Sequence, residues 1–392
     1  MDFNHLHLYV DDVAGWCDRF VQHWGGQAKA VHPSVAEHTA LVYVGSVPVL
    51  ISAPQQPGDG VADYLCQHPM GVGDLAFWVP DLEMALARLV AHGGQVLTPI
   101  TEEPNGRWCQ VRGWGHLRHT LVQSERPMAW VPGALAQDSR PESSVAPTPT
   151  LPSPALQASV PQTQTQTQTQ TQTQTPERST VHRLPISHID HGVINVPAGQ
   201  MAAAVDWYAQ QFGFQPQQRF VIHTPWSGLR SQVLIHPQGG ATLPINEPAT
   251  ANSQIQEFLD WNRGPGVQHV ALHTEDIVQT VQRLKALEVI FLDVPQGYYH
   301  SLAQRPGDGG IEADWVRLQI LADWDDDTPQ AKLLQTFTQP IFPIPTLFFE
   351  IIQRQKSWAN QRPIIAQGFG ERNFQALFEA IEREQRKRGS LA

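Results

Sequence analysis

Three residues in the second half of the chain carry side chains that hold metal ions: His191, His269 and Glu350. They are separated by 78 and 81 residues, whereas a helical ligand pair lies three or four apart, so a site built from them must be assembled from distant strands. Two neutral imidazoles and one carboxylate leave about three coordination positions open, which suits Fe(II) reacting with O₂ and a chelating substrate better than a closed structural site. Glu350 lies in the otherwise apolar run Pro345-Thr-Leu-Phe-Phe-Glu-Ile-Ile352. An unpartnered carboxylate in such a strand costs several kcal/mol, and a cation is its simplest partner; Arg354 is the alternative. Phe348, two residues earlier, is expected on the same face as Glu350.

A single histidine among the chain's 17 is more often a satisfied core group than a ligand. These stand out because they fall at equivalent places in a repeat. Gly71-Val-Gly-Asp-Leu-Ala-Phe-Trp-Val-Pro-Asp81 parallels Gly266-Val-Gln-His-Val-Ala-Leu-His-Thr-Glu-Asp276. Each reads as a strand entering an amphipathic helix, Leu82 to His92 and Val278 to Leu287, followed by the strands Gln95 to Pro99 and Ile290 to Pro295. The halves also begin alike, with Phe3 to Val10 and Ile189 to Val196 leading into helices over Val13 to Trp24 and Met201 to Phe212, and Thr120 to Gln123 matches Glu350 to Gln353. The first-half counterparts of the three residues are therefore His5, Asp74 and Thr120. Threonine is no ordinary divalent-metal ligand, so that half is expected to hold no metal.

The pattern predicts an α+β fold of repeated βαβββ modules forming two open-barrel domains, with a C-terminal helix. The domains are expected at 1–134 and 181–392, the second catalytic, joined by a Pro, Ser and Thr-Gln linker over 135–180 that has no apolar face to bury. A formal charge of −11 disfavours nucleic acid and anionic membranes as partners. No apolar stretch approaches the roughly 20 residues of a spanning helix, and the acidic opening is unlike a signal peptide, so a cytoplasmic protein is expected. Cys17, Cys66 and Cys109 are odd in number and widely spaced, and are expected to be buried thiols.

The repeated module resembles the vicinal-oxygen-chelate, or glyoxalase-like, superfamily. Within the second half, Ser227-Gly-Leu-Arg-Ser231, Leu243-Pro-Ile-Asn-Glu-Pro248, Gly264-Pro-Gly-Val-Gln-His269, Leu333-Leu-Gln-Thr-Phe-Thr338 and Gln367-Gly-Phe-Gly-Glu-Arg-Asn-Phe374 resemble the 4-hydroxyphenylpyruvate dioxygenase family from about Ser187 to Gly389. That resemblance implies Fe(II) on His191, His269 and Glu350, with Ser231, Asn246, Gln254, Gln268 and Gln335 as polar substrate contacts. It further implies Phe337, Phe348, Phe369, Asn373 and Phe374 around the ring. The reaction implied is 4-hydroxyphenylpyruvate plus O₂ to homogentisate plus CO₂ by oxidative decarboxylation, ring hydroxylation and side-chain migration, in a homo-oligomer, with no catalytic side chain beyond these. Alternatives are 4-hydroxymandelate synthase, against which Pro244, Asn246 and Phe337 weigh, and a non-catalytic small-molecule-binding protein of the same fold. The stripe Phe374, Leu377, Phe378 and Ile381 predicts a final helix, which the resemblance makes a lid hinged at Gly368 and Gly370. Arg372 stands where the family usually has a second glycine, so the turn there is expected to be strained or different.

Overall fold

The computed structural model describes residues 1–35, 37–135, 183–305, 310–359 and 362–391. The Thr-Gln tract lies outside the described residues. The first half comprises β1 (Asp2–Tyr9), α1 (Val13–His23), β2 (Gln27–Lys29), β3 (Thr39–Val44), β4 (Val47–Ser52), α2 (Gly60–Gln67), β5 (Gly71–Trp78), α3 (Leu82–Ala91), β6 (Val96–Glu103), β7 (Gly106–Arg112) and β8 (Arg118–Ser124). The second opens with β9 (Ile186–Asn195), α4 (Met201–Phe212), β10 (Gln215–His223), β11 (Gly228–Ile235), β12 (Thr242–Pro248), α5 (Gln254–Asn262), β13 (Gly266–Thr274) and α6 (Ile277–Ala286). It continues through α7 (Gln296–Leu302), α8 (Ala313–Leu318), β14 (Leu321–Trp324), β15 (Lys332–Phe337), β16 (Phe348–Arg354), a hairpin of β17 (Lys356–Ala359) and β18 (Arg362–Ile365), and α9 (Glu371–Arg388).

Each half forms an eight-stranded sheet, and the two orders match position by position: β2-β3-β4-β1-β5-β8-β7-β6 and β10-β11-β12-β9-β13-β16-β15-β14. The matching loops carry the same signal, because Asp81 and Asp276 cap α3 and α6 by accepting from Met84 N and Gln279 N at 2.8 and 2.9 Å. Each such cap is worth about 1 kcal/mol.

One expected strand is replaced. Ile290 to Pro295 forms no strand; it gives a single bridge, Phe291 to Thr338, before α7 and α8 intervene. β14 takes the edge place that β6 holds in the first half. The apolar stretch there is too short before Asp293 and Pro295 to continue a ladder. The cysteines also depart from expectation: Cys109 is buried, Cys17 half-buried and Cys66 exposed, because Tyr64 takes the inward place on α2.

One apolar cluster draws residues from both halves. Phe349, on the side of β16 away from Glu350, meets Trp24 and Phe20 of α1 with ring centroids 4.8 and 6.4 Å apart. Phe349→Ala is expected to cost about 3–5 kcal/mol, read as a lowered urea midpoint with unchanged slope.

Candidate metal centre

Two extra residues in neighbouring strands aim the side chains of the second cup. Between β9 and β13, Ala271 pairs with His191 but Leu272 pairs with Ile189, which makes Asp190 the extra residue. Val267 pairs with Ile194 and His269 with Val193, so Gln268 is extra in the facing strand. Such bulges re-aim adjacent side chains that a regular strand would send to opposite faces. The consequence is visible at Asp190, whose Oδ1 accepts from Nδ1 of its own neighbour His191 at 2.8 Å. That bond leaves His191 Nε2 facing inward, the arrangement that orients a ligating imidazole.

His191, His269 and Glu350 are buried, and one donor atom of each lies within 4.8 Å of the others. Glu350 Oε2 is 3.2 Å from His191 Nε2 and 3.7 Å from His269 Nε2. Neighbouring ligands on a small octahedral cation lie about 3 Å apart, so the spacing fits a divalent ion. His269 Nδ1 is buried without a partner, and its ring stacks on Phe348 at 4.8 Å with 19° between planes. Phe348 therefore backs the His269 ring. Arg354 does not compensate Glu350; it pairs with Asp190 instead. Glu350 Oε1 accepts from Gln335 Nε2 at 2.8 Å.

Protonation follows from these contacts. Burial alone would lower His191, but Glu350 and Asp190 raise it to about 9, whereas burial and neighbouring His191 push His269 well below its ordinary value. Burial alone would raise Asp190, yet the hydrogen bonds from Arg354 and His191 hold it far below the usual carboxylate range. Without a cation, His191 thus holds its proton at neutral pH. The pairing of charged His191 stabilises the metal-free protein fully below pH 6.5 and is lost as pH rises through about 9. Metal must displace that proton, so affinity for a divalent ion is expected to rise about tenfold per pH unit between 7 and 9, checked by titration in non-chelating buffers.

The first half repeats the geometry with different chemistry. Asn4 Oδ1 accepts from His5 Nδ1 at 2.7 Å, as Asp190 does for His191. Asp74 Oδ2 instead accepts from Thr120 Oγ1 at 2.6 Å and Gln110 Nε2 at 2.9 Å, and its Oδ1 accepts from Thr120 N at 2.9 Å. This carboxylate is satisfied by protein donors and asks for no cation.

Beside the triad lies a small cavity of about 30 Å³. His191, His269, Glu350, Ser231, Asn246, Gln335, Phe337, Phe369 and Phe374 line it, with Val193, Phe220, Val233, Pro244 and Leu377. Four of these five follow from register: Val193 is two residues past His191, Val233 two past Ser231, Phe220 pairs with Ser231, and Leu377 follows Phe374 by three in α9. Gln254, Gln268, Phe348 and Asn373 are buried but do not line the cavity. Gln254 begins α5, and Asn373 lies on α9, where its Nδ2 donates to Gln335 Oε1 at 2.8 Å. Asn246 Oδ1, at the cavity wall, is buried without a hydrogen bond, and so, outside the lining, are Gln254 Oε1 and both amide atoms of Asn195. Asn195 was not anticipated, although it continues the alternation of His191 and Val193 and pairs with Asn246. Orphaned buried amides are what a polar ligand or ordered water satisfies.

Arg372 carries no strain. It lies in the first turn of α9, and the left-handed positions are Gly368 and Gly370 on either side of Phe369, with φ of 75° and 65°. The left-handed φ favours glycine at Gly370, where a Cβ would also stand 2.5 Å from Gln335 Oε1 and push that amide aside.

The model of the Glyoxalase/Bleomycin resistance protein/Dioxygenase superfamily matches residues 186–308. A 4-hydroxyphenylpyruvate dioxygenase of Caenorhabditis briggsae is 38% identical over 350 residues, 84% of this chain and 77% of that one. An uncharacterized protein of Synechocystis is 32% identical over 97% of each chain. Among solved structures, a variant of 4-hydroxymandelate synthase from Streptomyces coelicolor superposes with a TM-score of 0.75 at 26% identity, covering 98% of both chains. Among the described residues no helix is long and apolar enough to cross a membrane. With its doubled glyoxalase-type sheets, buried metal-binding triad and these relatives, the chain belongs to the 4-hydroxyphenylpyruvate dioxygenase family.

Proposed function

We propose that this enzyme converts 4-hydroxyphenylpyruvate and O₂ to homogentisate and CO₂ at Fe(II) held by His191, His269 and Glu350. The observation that carries the reading is the buried triad, whose donor atoms lie within 4.8 Å of one another and leave one face toward the cavity. Bound there, Fe(II) supplies the activation of O₂ for oxidative decarboxylation and ring hydroxylation. The atoms balance: one oxygen enters the new carboxylate, the other the ring hydroxyl, and CO₂ leaves from the 2-oxo acid. The electrons come from the oxo acid, so no separate reductant is required.

The chain's own residues bind and orient. Phe337, Phe369 and Phe374 offer apolar walls to an aromatic ring. Asn246 Oδ1, unpartnered and beside Ser231 in register, supplies an acceptor for a phenol hydroxyl. Gln335 holds the Glu350 carboxylate in place through its Nε2. A cavity of about 30 Å³ admits roughly one water, so the Phe369 segment and α9 must move aside to admit substrate and then exclude solvent.

Anaerobic reconstitution with Fe(II), then addition of O₂ and 4-hydroxyphenylpyruvate, is expected to give homogentisate and CO₂ in equal amounts, one each per O₂ consumed. Mass and retention identify the product. Recovery of 4-hydroxymandelate instead would transfer the chain to the synthase branch, and binding without oxygen uptake would make it a binding protein.

A further inference from the structure

Arg354 ends β16 four residues after Glu350, yet its guanidinium serves two other places. Its Nε and Nη2 donate to Oδ2 and Oδ1 of Asp190 at 2.7 and 2.8 Å, and Asp190 in turn accepts from His191 Nδ1. Its remaining nitrogen, Nη1, donates to the carbonyl oxygens of Gly368 at 2.9 Å and Ala366 at 3.3 Å. Those carbonyls belong to the segment leading into α9. Between the left-handed Gly368 and Gly370, Phe369 sets its ring against His191, centroids 5.2 Å apart and planes at 73°. Phe369 also lines both this inner cavity and an outer one of about 710 Å³ that Arg354 and Asp190 line.

One side chain therefore touches both the group that orients His191 and the segment that shuts the site. We infer that Arg354 is a positioning residue that makes the seating of Phe369 and the orientation of His191 a single event. With residues 366–370 docked, the two carbonyls fix the guanidinium plane, and the fixed plane clamps Asp190 in the position that aims His191 Nε2 inward. When the segment swings out, Nη1 loses both acceptors and the clamp is held from one side only. Only a planar fork meets both demands, since its Nε and Nη2 edge matches a carboxylate while Nη1 stays free. A lysine ammonium has the charge without the shape.

The inference rests on the metal reading above, and its test separates the two. Coupling of this kind is reciprocal, so metal bound at His191 must also steady the segment. Co(II) added to the metal-free full chain is expected to slow hydrogen exchange at amides 367–371, and its visible absorption reports the ligand geometry. Arg354→Lys is expected to weaken Co(II) binding about tenfold or more, to alter that absorption, and to abolish the Co(II)-dependent slowing of exchange. The wild-type exchange measurement stands even if the variant fails to fold. Unchanged exchange on Co(II) addition, or wild-type Co(II) affinity and exchange in folded Arg354→Lys, overturns the role of Arg354. His191→Ala serves as the reference: if it too binds Co(II) like wild type, the metal site itself is wrong, whereas its loss alongside an intact Arg354→Lys removes only the coupling.

Discussion

Alanine at His191, His269 or Glu350, taken one at a time, is expected to lower oxygen uptake with 4-hydroxyphenylpyruvate by more than about 100-fold and to leave substoichiometric metal after dialysis. Loss of a mere orienting group around a metal already costs about 10–100-fold, and loss of a ligand exceeds that. The three variants should differ in stability. His269→Ala removes a ring whose Nδ1 has no partner, so little hydrogen bonding is lost, although its stacking on Phe348 goes. Glu350→Ala takes from Gln335 Nε2 its acceptor at 2.8 Å and leaves it the Phe369 carbonyl at 3.4 Å, a loss of about 1 kcal/mol, and also withdraws the charge that raises His191, so His191 becomes easier to deprotonate. Circular dichroism and a urea titration establish that each variant folds, and elemental analysis reads the metal. Wild-type turnover in any one of them would strike that residue from the ligand set.

The parts of this site legible in the sequence are those that a repeat fixes. Because the sheet orders coincide, the alignment of Asp74 with His269 and Thr120 with Glu350 gave strand positions directly; Ala76 and Ala271, each two residues past the middle position, sit beside Thr120 and Glu350. Alternation then placed Phe348 with Glu350, and Gln335 with Phe337. The bulges were not legible, since Asp190 and Gln268 look like ordinary strand residues, and without the first the Asp190 contact to His191 has no explanation. Long-range partners were equally hidden. Arg354 could have reached Glu350 or Asp190 from its place in β16, and only the packing of residues 366–370 decides between them. Asn195 was missed because an asparagine at a strand end reads as a turn residue, and its lack of partners is a property of the folded core.

Asn373→Ala is expected to lower kcat/KM by about 100-fold, the usual consequence of a misplacement of about 1 Å at a closed site. Asn373 is fully buried on α9; its Nδ2 donates to Gln335 Oε1 at 2.8 Å, and its Oδ1 accepts from Tyr298 OH at 2.7 Å. Gln335 spends its other end on Glu350. The amide thus ties the final helix to the metal-side carboxylate through a single intermediary, and Tyr298 fixes it from behind. Removing it leaves Gln335 Oε1 without its donor, at about 1–3 kcal/mol of stability, while Leu377 and Phe378 still hold the helix by apolar packing. A substrate contact and a tie predict different kinetics. Loss of a contact raises KM and leaves the helix as rigid as before. Loss of the tie should lower kcat, speed hydrogen exchange across residues 371–378, and let O₂ be consumed in excess of product because the site closes imperfectly over the substrate. Oxygen uptake measured beside product yield separates the two, and a variant with wild-type kcat, tight coupling and unchanged exchange would show that α9 closes without this amide.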